Sequence, residues 1–369
     1  SASAFLLPAA VLRGIPPLVA KRRRASLEET GSVIGRLSAW STFGALAGTF
    51  GSGFVLIAFL PVRTIILGIG AVLVTAGFIV LWRTREGRPD IVETGLVLAV
   101  AFLAVGIGSQ CDHETDYYCV RIVADEERPG GRSLILDQLR HAHVDLDDPT
   151  HLEIRYVRLF ADLAAALPDG PLRVLHLGGG GFSFPRYLDA VRPGSTHTVL
   201  ELDEGLVDIA RSELGLTDVD NIEIRTGDAR LHLDDLEAGS YDLIVGDTFG
   251  GDSVPWHLTT VEVMEALQRL LRPNGVYVMN VIDGGDSAFS RAELATLAAV
   301  FADTALIEPV GGIPDERVNQ ILLAADAPLP DIAISEGDGS LVDRTALRAF
   351  IGDANVLTDD FAPADQLLG

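Results

Sequence analysis

The chain has 369 residues, enough for two or three domains, and 48% of them are hydrophobic, with a mean hydropathy of +0.30 that points to a membrane part. The formal net charge of −24 is uneven: residues 1–110 carry 10 Arg and Lys against 5 Asp and Glu, and the remainder 18 against 47. So acidic a C-terminal part excludes nucleic acid as a partner, since phosphates are repelled, and it attracts a basic small molecule.

Residues 1–110 read as a transmembrane region of three to four helices. Residues 4–19 are apolar but carry Pro8, Arg13, Pro16 and Pro17, and Lys21-Arg22-Arg23-Arg24 follows. Residues 33–60 form a long apolar run in which Gly44, Gly48, Gly51 and Gly53 let helices approach closely in lipid. Pro61-Val62-Arg63 predicts a turn. Residues 64–82 carry no charge and have about the length needed to cross the hydrocarbon core. Arg83, Arg85 and Arg88 come next, and 91–108 is the last apolar run. Buried globular helices are the alternative. The chain opens apolar and without Met, which predicts the tail of a longer membrane protein.

Residues 111–170 read as a small β-module with a linking helix. Two thiols, Cys111 and Cys119, cannot close a zinc site alone, so no metal is expected. They form a disulfide in an oxidising compartment or stay as two free thiols. Strands are predicted over 117–123 and 133–137, joined by a turn at Arg128-Pro129-Gly130-Gly131. A helix is predicted from Asp147-Asp148-Pro149-Thr150 to Leu167, with Asp148 or Thr150 as cap.

Residues 171–369 carry the chemistry. The apolar run Arg173–Leu177 leads into Gly178-Gly179-Gly180-Gly181 and a helical pattern from Phe182. A second run, 198–203, ends in Glu201-Leu202-Asp203. A third, 222–226, ends in Gly227-Asp228-Ala229, and a fourth, 241–246, ends in Asp247. Short apolar strands alternating with helices predict a parallel sheet covered on both faces, an α/β Rossmann-like fold of class I methyltransferase type. Beyond Asp247 come a loop over 248–257, a helix over 260–271 stopped by Pro273-Asn274-Gly275, and a fifth strand over 276–281. A helix over 287–301, strands over 305–308 and 320–324, and a helix over 344–351 complete the domain.

In such sheets the ligand lies beyond the carboxyl ends of the strands. Gly178, Gly179 and Gly180 let it approach the backbone. Their spacing fits neither the dinucleotide fingerprint nor a phosphate loop, which suits an adenosine without phosphates. Glu201 is placed to accept both ribose hydroxyls, with Asp203 as the spare. Asp228 is placed to accept from the adenine amino group, and Ala229 to offer its backbone N–H. Asp247 faces the reactive end of the ligand and is placed to take a proton from an attacking amine. Each has a plainer explanation: a tight turn, a solvated strand end, a turn aspartate, a loop cap.

With these motifs in place, the chain from Cys111 onward resembles the spermidine synthase (polyamine aminopropyltransferase) family, in its membrane-fused form. The resemblance implies a β-module joined to a Rossmann-like domain. It also implies transfer of an aminopropyl group from decarboxylated S-adenosylmethionine, a co-substrate rather than a permanent cofactor, to putrescine or another amine. The family's glycine motif falls on Gly178-Gly179-Gly180, its ribose acid on Glu201, its adenine-contacting pair on Asp228-Ala229, its proton acceptor on Asp247, and a loop proline on Pro255. Leu136-Asp137 and residues 357–363 match two further motifs. An aspartate of the family is Gly181 here. A second is Gly250, for which Asp252 is the substitute. A glutamine is Tyr118 and a histidine is Leu152.

Two other functions fit the same residues: methyl transfer from S-adenosylmethionine, and non-catalytic sensing of a nucleoside or polyamine. The expected partners are a small-molecule amine, an adenosyl nucleoside, membrane lipid and a second copy of the chain. The basic clusters at 21–24 and 83–88 flank two spans, so the positive-inside tendency puts both in the cytoplasm and residues 111–369 outside. The cytosolic origin of adenosylmethionine derivatives argues for the inside, and the charge pattern favours the outside.

Overall fold

The computed structural model describes residues 27–56, 60, 62–84, 111–216, 221–248 and 254–368. The chain divides into two compact units, Ser1–Gly108 and Ser109–Gly369.

In the first unit, α1 (Leu27–Gly51) leads into a π-helical segment, Ser52–Leu56, and α2 spans Val62–Thr84. Among the described residues no helix is long and apolar enough to cross a membrane. The spans expected at 33–60 and 64–82 are therefore not supported by the structure. The first run is not one helix: α1 begins in polar sequence, Glu28-Glu29-Thr30, and gives way to the π segment at Ser52. The runs at 4–19 and 91–108 lie outside the described residues.

The second unit opens with a four-stranded antiparallel sheet in sequential order: β1 (His113–Glu114), β2 (Cys119–Ala124), β3 (Gly131–Leu136) and β4 (Leu139–Asp145). Cys111 and Cys119 are joined in a disulfide that ties the start of β1 to β2. Strand β4 was not predicted, because Arg140, His141 and His143 break the apolar alternation. The next helix, α3 (Arg155–Ala166), starts later than its cap motif suggested. Asp148 Oδ1 accepts from the Thr150 backbone N–H in a local turn, 3.0 Å, and caps no helix. Arg158 of α3 donates back to the Glu153 carbonyl, 2.7 Å, and across to the Asp338 carboxylate, 2.7 Å.

An eight-stranded sheet follows, built from β5 (Arg173–Leu177), β6 (Thr196–Glu201), β7 (Ile222–Thr226), β8 (Tyr241–Gly246), β9 (Leu271–Asp283), β10 (Asp303–Glu308), β11 (Val318–Ala325) and β12 (Ser340–Leu341). Its order is β12-β10-β11-β9-β8-β5-β6-β7, with β5 to β9 parallel and the last three strands antiparallel. The helices between them are α4 (Ser183–Val191), α5 (Glu204–Glu213), α6 (Ala229–His232), α7 (Val261–Leu270), α8 (Ala288–Val300), α9 (Arg344–Ile351) and α10 (Ala364–Leu367). Fifth-strand residues Pro273-Asn274-Gly275, expected to stop α7, lie inside the longer β9.

Strand side chains alternate between faces. Leu175, Leu177 and Ile244 pack with α7 and α8, while Val174, Leu243 and Val245 pack with α3 and α4. A third cluster joins the small sheet to the large one through Val120, Leu134, Ala142, Phe182 and Leu206. The chain order reverses beside β5, whose neighbours are β6 on one side and β8 on the other. A parallel sheet opens a crevice at such a point, beyond the strand ends.

Candidate active site

Strand β5 ends in a turn that only glycine permits. Gly178 has φ +90°, and a Cβ there would lie 2.2 Å from the Asp247 carbonyl oxygen. Its N–H donates to the Leu200 carbonyl, 2.9 Å. The N–H groups of Gly179 and Gly180 donate to Glu201 Oε2, 2.7 and 3.0 Å, and that of Asp203 donates to Oε1, 3.1 Å. Glu201 is thus buried and holds the turn in shape while facing the crevice. Asp203, read as a spare ligand, is instead the cap of α5: its Oδ1 accepts from Gly205 N–H at 3.0 Å, and Oδ2 from the Thr115 hydroxyl. It is not among the residues that line the crevice.

The crevice encloses about 160 Å³, and the residues that line it include Tyr118, Gly178, Gly179, Gly180, Glu201, Asp228, Ala229, Asp247 and Pro255. All of these were singled out in the sequence. Asp252 lies outside the described residues. Asp228 Oδ1 accepts from Arg230 N–H, 2.9 Å, and Oδ2 lies 3.1 Å from His257 Nε2. Burial, followed by the nearby Glu201 carboxylate, pushes the Tyr118 hydroxyl up to about 12, so it stays a neutral donor. Among the described residues no cluster of His, Cys, Asp and Glu is arranged to hold a metal ion.

Asp247 follows β8, its backbone N–H bonded to the Leu177 carbonyl at 2.9 Å. The Tyr156 hydroxyl donates to Oδ2, 2.9 Å, and Asn280 Nδ2 donates to Oδ1, 2.9 Å. Asn280 is in turn held by Asn319, whose Nδ2 donates to Asn280 Oδ1 at 2.9 Å. Dense protein surroundings raise the Asp247 carboxyl above the usual carboxylate range, against the opposing pull of the Asn280 and Tyr156 bonds. Tyr156, His141 and Asp247 also line a second chamber of about 270 Å³. Asp247 therefore stands between two cavities. Tyr156, His141, His257 and Asn280 escaped sequence reasoning. Tyr156 belongs to an amphipathic helix pattern, and Asn280 to a strand with no motif, so only the fold reveals their approach to Asp247.

A polyamine aminopropyltransferase of Vibrio vulnificus is 28% identical over 243 residues, covering 60% of this chain and 79% of that protein. The crystal structure of a probable spermidine synthase from Corynebacterium glutamicum superposes with a TM-score of 0.63 at 29% identity, covering 67% of this chain and 95% of that one. The second unit is thus similar to proteins named polyamine aminopropyltransferase and probable spermidine synthase. It is an enzyme of the transferase class, as its relatives named polyamine aminopropyltransferases are. An eEF1A lysine and N-terminal methyltransferase of Danio rerio also matches, 28% identical over 142 residues, 36% of this chain and 20% of that protein. No protein-family model matches.

In this unit, two of the positions at which the sequence departs from the pattern it resembles are closely packed. A Cβ on Gly181 would lie 2.7 Å from the Ala142 Cβ, so the small sheet closes over the position where an aspartate would stand. Leu152, in place of a histidine, packs against the apolar cluster around α3.

Proposed function

We propose that residues 109–369 transfer an aminopropyl group from decarboxylated S-adenosylmethionine to an amine, with Asp247 as proton acceptor. The observation that carries this is the position of Asp247: between two cavities, with both carboxylate oxygens oriented by Tyr156 and Asn280. Glu201 would take the ribose hydroxyls, Asp228 and the Ala229 N–H the adenine, Pro255 would flank the nucleoside, and Tyr118 would lie on the substrate side. The amine nitrogen attacks the methylene carbon bonded to the sulfonium. The C–N bond forms as the C–S bond breaks, the electron pair stays on sulfur, and methylthioadenosine leaves neutral. The nitrogen's proton passes to Asp247. Held in place on both oxygens, the carboxylate needs no reorientation at the moment of transfer.

The test is methylthioadenosine release from decarboxylated S-adenosylmethionine in the presence of amines. Asp247→Asn is expected to bind methylthioadenosine as the parent does and to lose about 10²-fold or more in turnover, the scale of a missing general base. Normal turnover would place the base elsewhere. Because the Asp247 carboxyl is raised by its surroundings, kcat/KM falls as pH drops through a value above that of an ordinary aspartate. A second reading, methyl transfer from S-adenosylmethionine, is favoured by Gly181, where no acid opposes the carboxylate of methionine. Methylation with S-adenosylhomocysteine release would select it.

The proposed setting is a membrane, reached through residues 1–110, with residues 111–369 on the non-cytoplasmic side. Support comes from the large apolar side chains left exposed in the first unit, such as Trp40 at 69%, Phe54 at 74% and Val72 at 68%, and from the Cys111–Cys119 disulfide, which belongs in an oxidising compartment. Intact cells treated with reductant and a membrane-impermeant thiol reagent should label both cysteines. Labelling only after lysis would put the unit inside.

A further inference from the structure

Residues 357–363, read in the sequence as a motif, fold back beside the Asp228 end of the crevice. Leu357 is buried, and its carbonyl accepts from the Val261 N–H at the start of α7, 2.8 Å. A tight turn follows, in which the Thr358 N–H donates to the Phe361 carbonyl, 3.1 Å, and the Phe361 N–H to the Thr358 carbonyl, 2.9 Å. This turn presents Asp359. Its Oδ1 accepts from Arg230 Nη1 and from the Thr260 hydroxyl, both at 2.8 Å, and its Oδ2 accepts from Arg230 Nη2. The same Nη1 donates to the His257 carbonyl, 2.8 Å. Arg230 also donates its backbone N–H to Asp228 Oδ1, 2.9 Å, while His257 Nε2 lies 3.1 Å from Asp228 Oδ2. Asp228 and His257 both line the crevice but stand on different elements, one before α6 and one in the 3-10 turn Trp256–Leu258. Arg230 is bonded to both.

A 6-aminopurine presents an N–H donor where a 6-oxopurine presents a carbonyl. An ionised carboxylate only accepts, with about two lone-pair sites on each oxygen. Asp228 therefore attracts the amino group and repels the carbonyl, and one neighbour on each oxygen leaves room for the base. The discrimination depends on where the carboxylate is held, because a displaced acceptor reads neither group. A half-exposed ion pair adds little stability by itself. A forked guanidinium–carboxylate pair does fix geometry, and here it ties a segment near the end of the chain to both walls of the crevice. We infer that the Arg230–Asp359 pair is a positioning device for base recognition. It holds the 256–258 turn against α6 and so sets the gap between Asp228 and His257 in which a 6-aminopurine is told from a 6-oxopurine. The inference rests on adenine lying at Asp228, as proposed above.

Two nucleosides differ in this group: 5′-methylthioadenosine and 5′-methylthioinosine, its 6-oxo counterpart. Calorimetric titration of the full chain should show the amino form binding about tenfold more tightly or better, since a site built around a donor rejects an analogue that lacks it. Asp359→Asn, which is close in shape and removes the charge, should shrink that ratio about threefold or more. Arg230→Lys should do the same, because an ammonium cannot fork between Asp359 and the His257 carbonyl. The backbone N–H to Asp228 survives either substitution, so the variants read the side chains alone, and Arg230→Lys gives the answer should Asp359→Asn not fold. A pair that merely braces the fold would weaken both nucleosides alike. A ratio unmoved in the folded variants therefore overturns the inference and leaves Asp228 as the base reader. A parent ratio near one removes Asp228 from the base and the inference with it. The expected ratios without aminopropyl transfer keep the inference and remove only the transfer.

Discussion

At the scale of single residues, the site depends on carboxylates whose oxygens are already committed. Glu201 accepts three backbone N–H groups, from Gly179, Gly180 and Asp203. Glu201→Ala leaves those donors unpaired inside the protein, where each buried, unsatisfied group costs about 1–3 kcal/mol. The glycine turn loosens with them. We expect methylthioadenosine to bind more than tenfold more weakly and the unfolding midpoint to fall; an unchanged dissociation constant removes Glu201 from the nucleoside site. The backbone connections also explain why a strand-end acid was readable in the sequence: it follows directly on an apolar run and faces a glycine turn, where it accepts from the Gly179 and Gly180 N–H groups.

At the scale of elements, the join between β4 and the turn after β5 decides what the site lacks. Gly181 is buried under Ala142, with Val144 Cγ1 3.5 Å from where its Cβ would be. Gly181→Asp forces the small sheet away, an overpacking that costs about 1–3 kcal/mol. Ala142→Gly should restore part of the loss in a double variant, measured as urea midpoints. Additive losses would show that the two positions do not meet. Nothing in the sequence announced this join, since β4 carries His and Arg at positions that spoil its alternation. The same element supplies Arg140 and His141 to the second chamber, so missing the strand meant missing the chamber.

At the scale of the whole molecule, the parallel sheet buries charge-capable side chains in neutral form. His176 on β5 and His197 on β6 meet through Nε2 and Nδ1 at 3.1 Å. Burial holds His176 well below its ordinary range, with His197 beside it adding to the effect, and burial lowers His197 to about 4. In the unfolded chain both protonate near 6.5. Below that pH the unfolded state binds more protons, so stability is full above about 6.5 and is lost as pH falls toward 4. For His197 the difference between 6.5 and about 4 is worth up to ~3 kcal/mol. The stability of the parent relative to His197→Phe should therefore fall between pH 6.5 and 4, read from urea midpoints. A constant difference would mean that the histidines titrate normally. Glu293 on α8 has the opposite sign: burial raises its carboxyl well above the usual range, so it favours the fold at low pH and its contribution fades as pH rises above about 4.5. Comparing each pH with the His197 variant cancels that term.

Local patterns determined much of this protein by themselves. The five parallel strands, the glycine turn, and the acids at 201, 228 and 247 were legible because each depends on neighbours within a few residues: an apolar run, a φ that glycine alone supplies, a carboxylate at the strand end. Only the tertiary structure decided which groups reach Asp247 from elsewhere. Tyr156 is 91 positions away in the chain, and Asn280 is 33. It also decided that the two cysteines pair, that Asp203 caps a helix instead of facing a ligand, and that arginines from β4 and the approach to β11 share a chamber. These contacts arise from how the small sheet packs on the large one. No local periodicity encodes that packing, because it depends on surfaces brought together from distant parts of the chain.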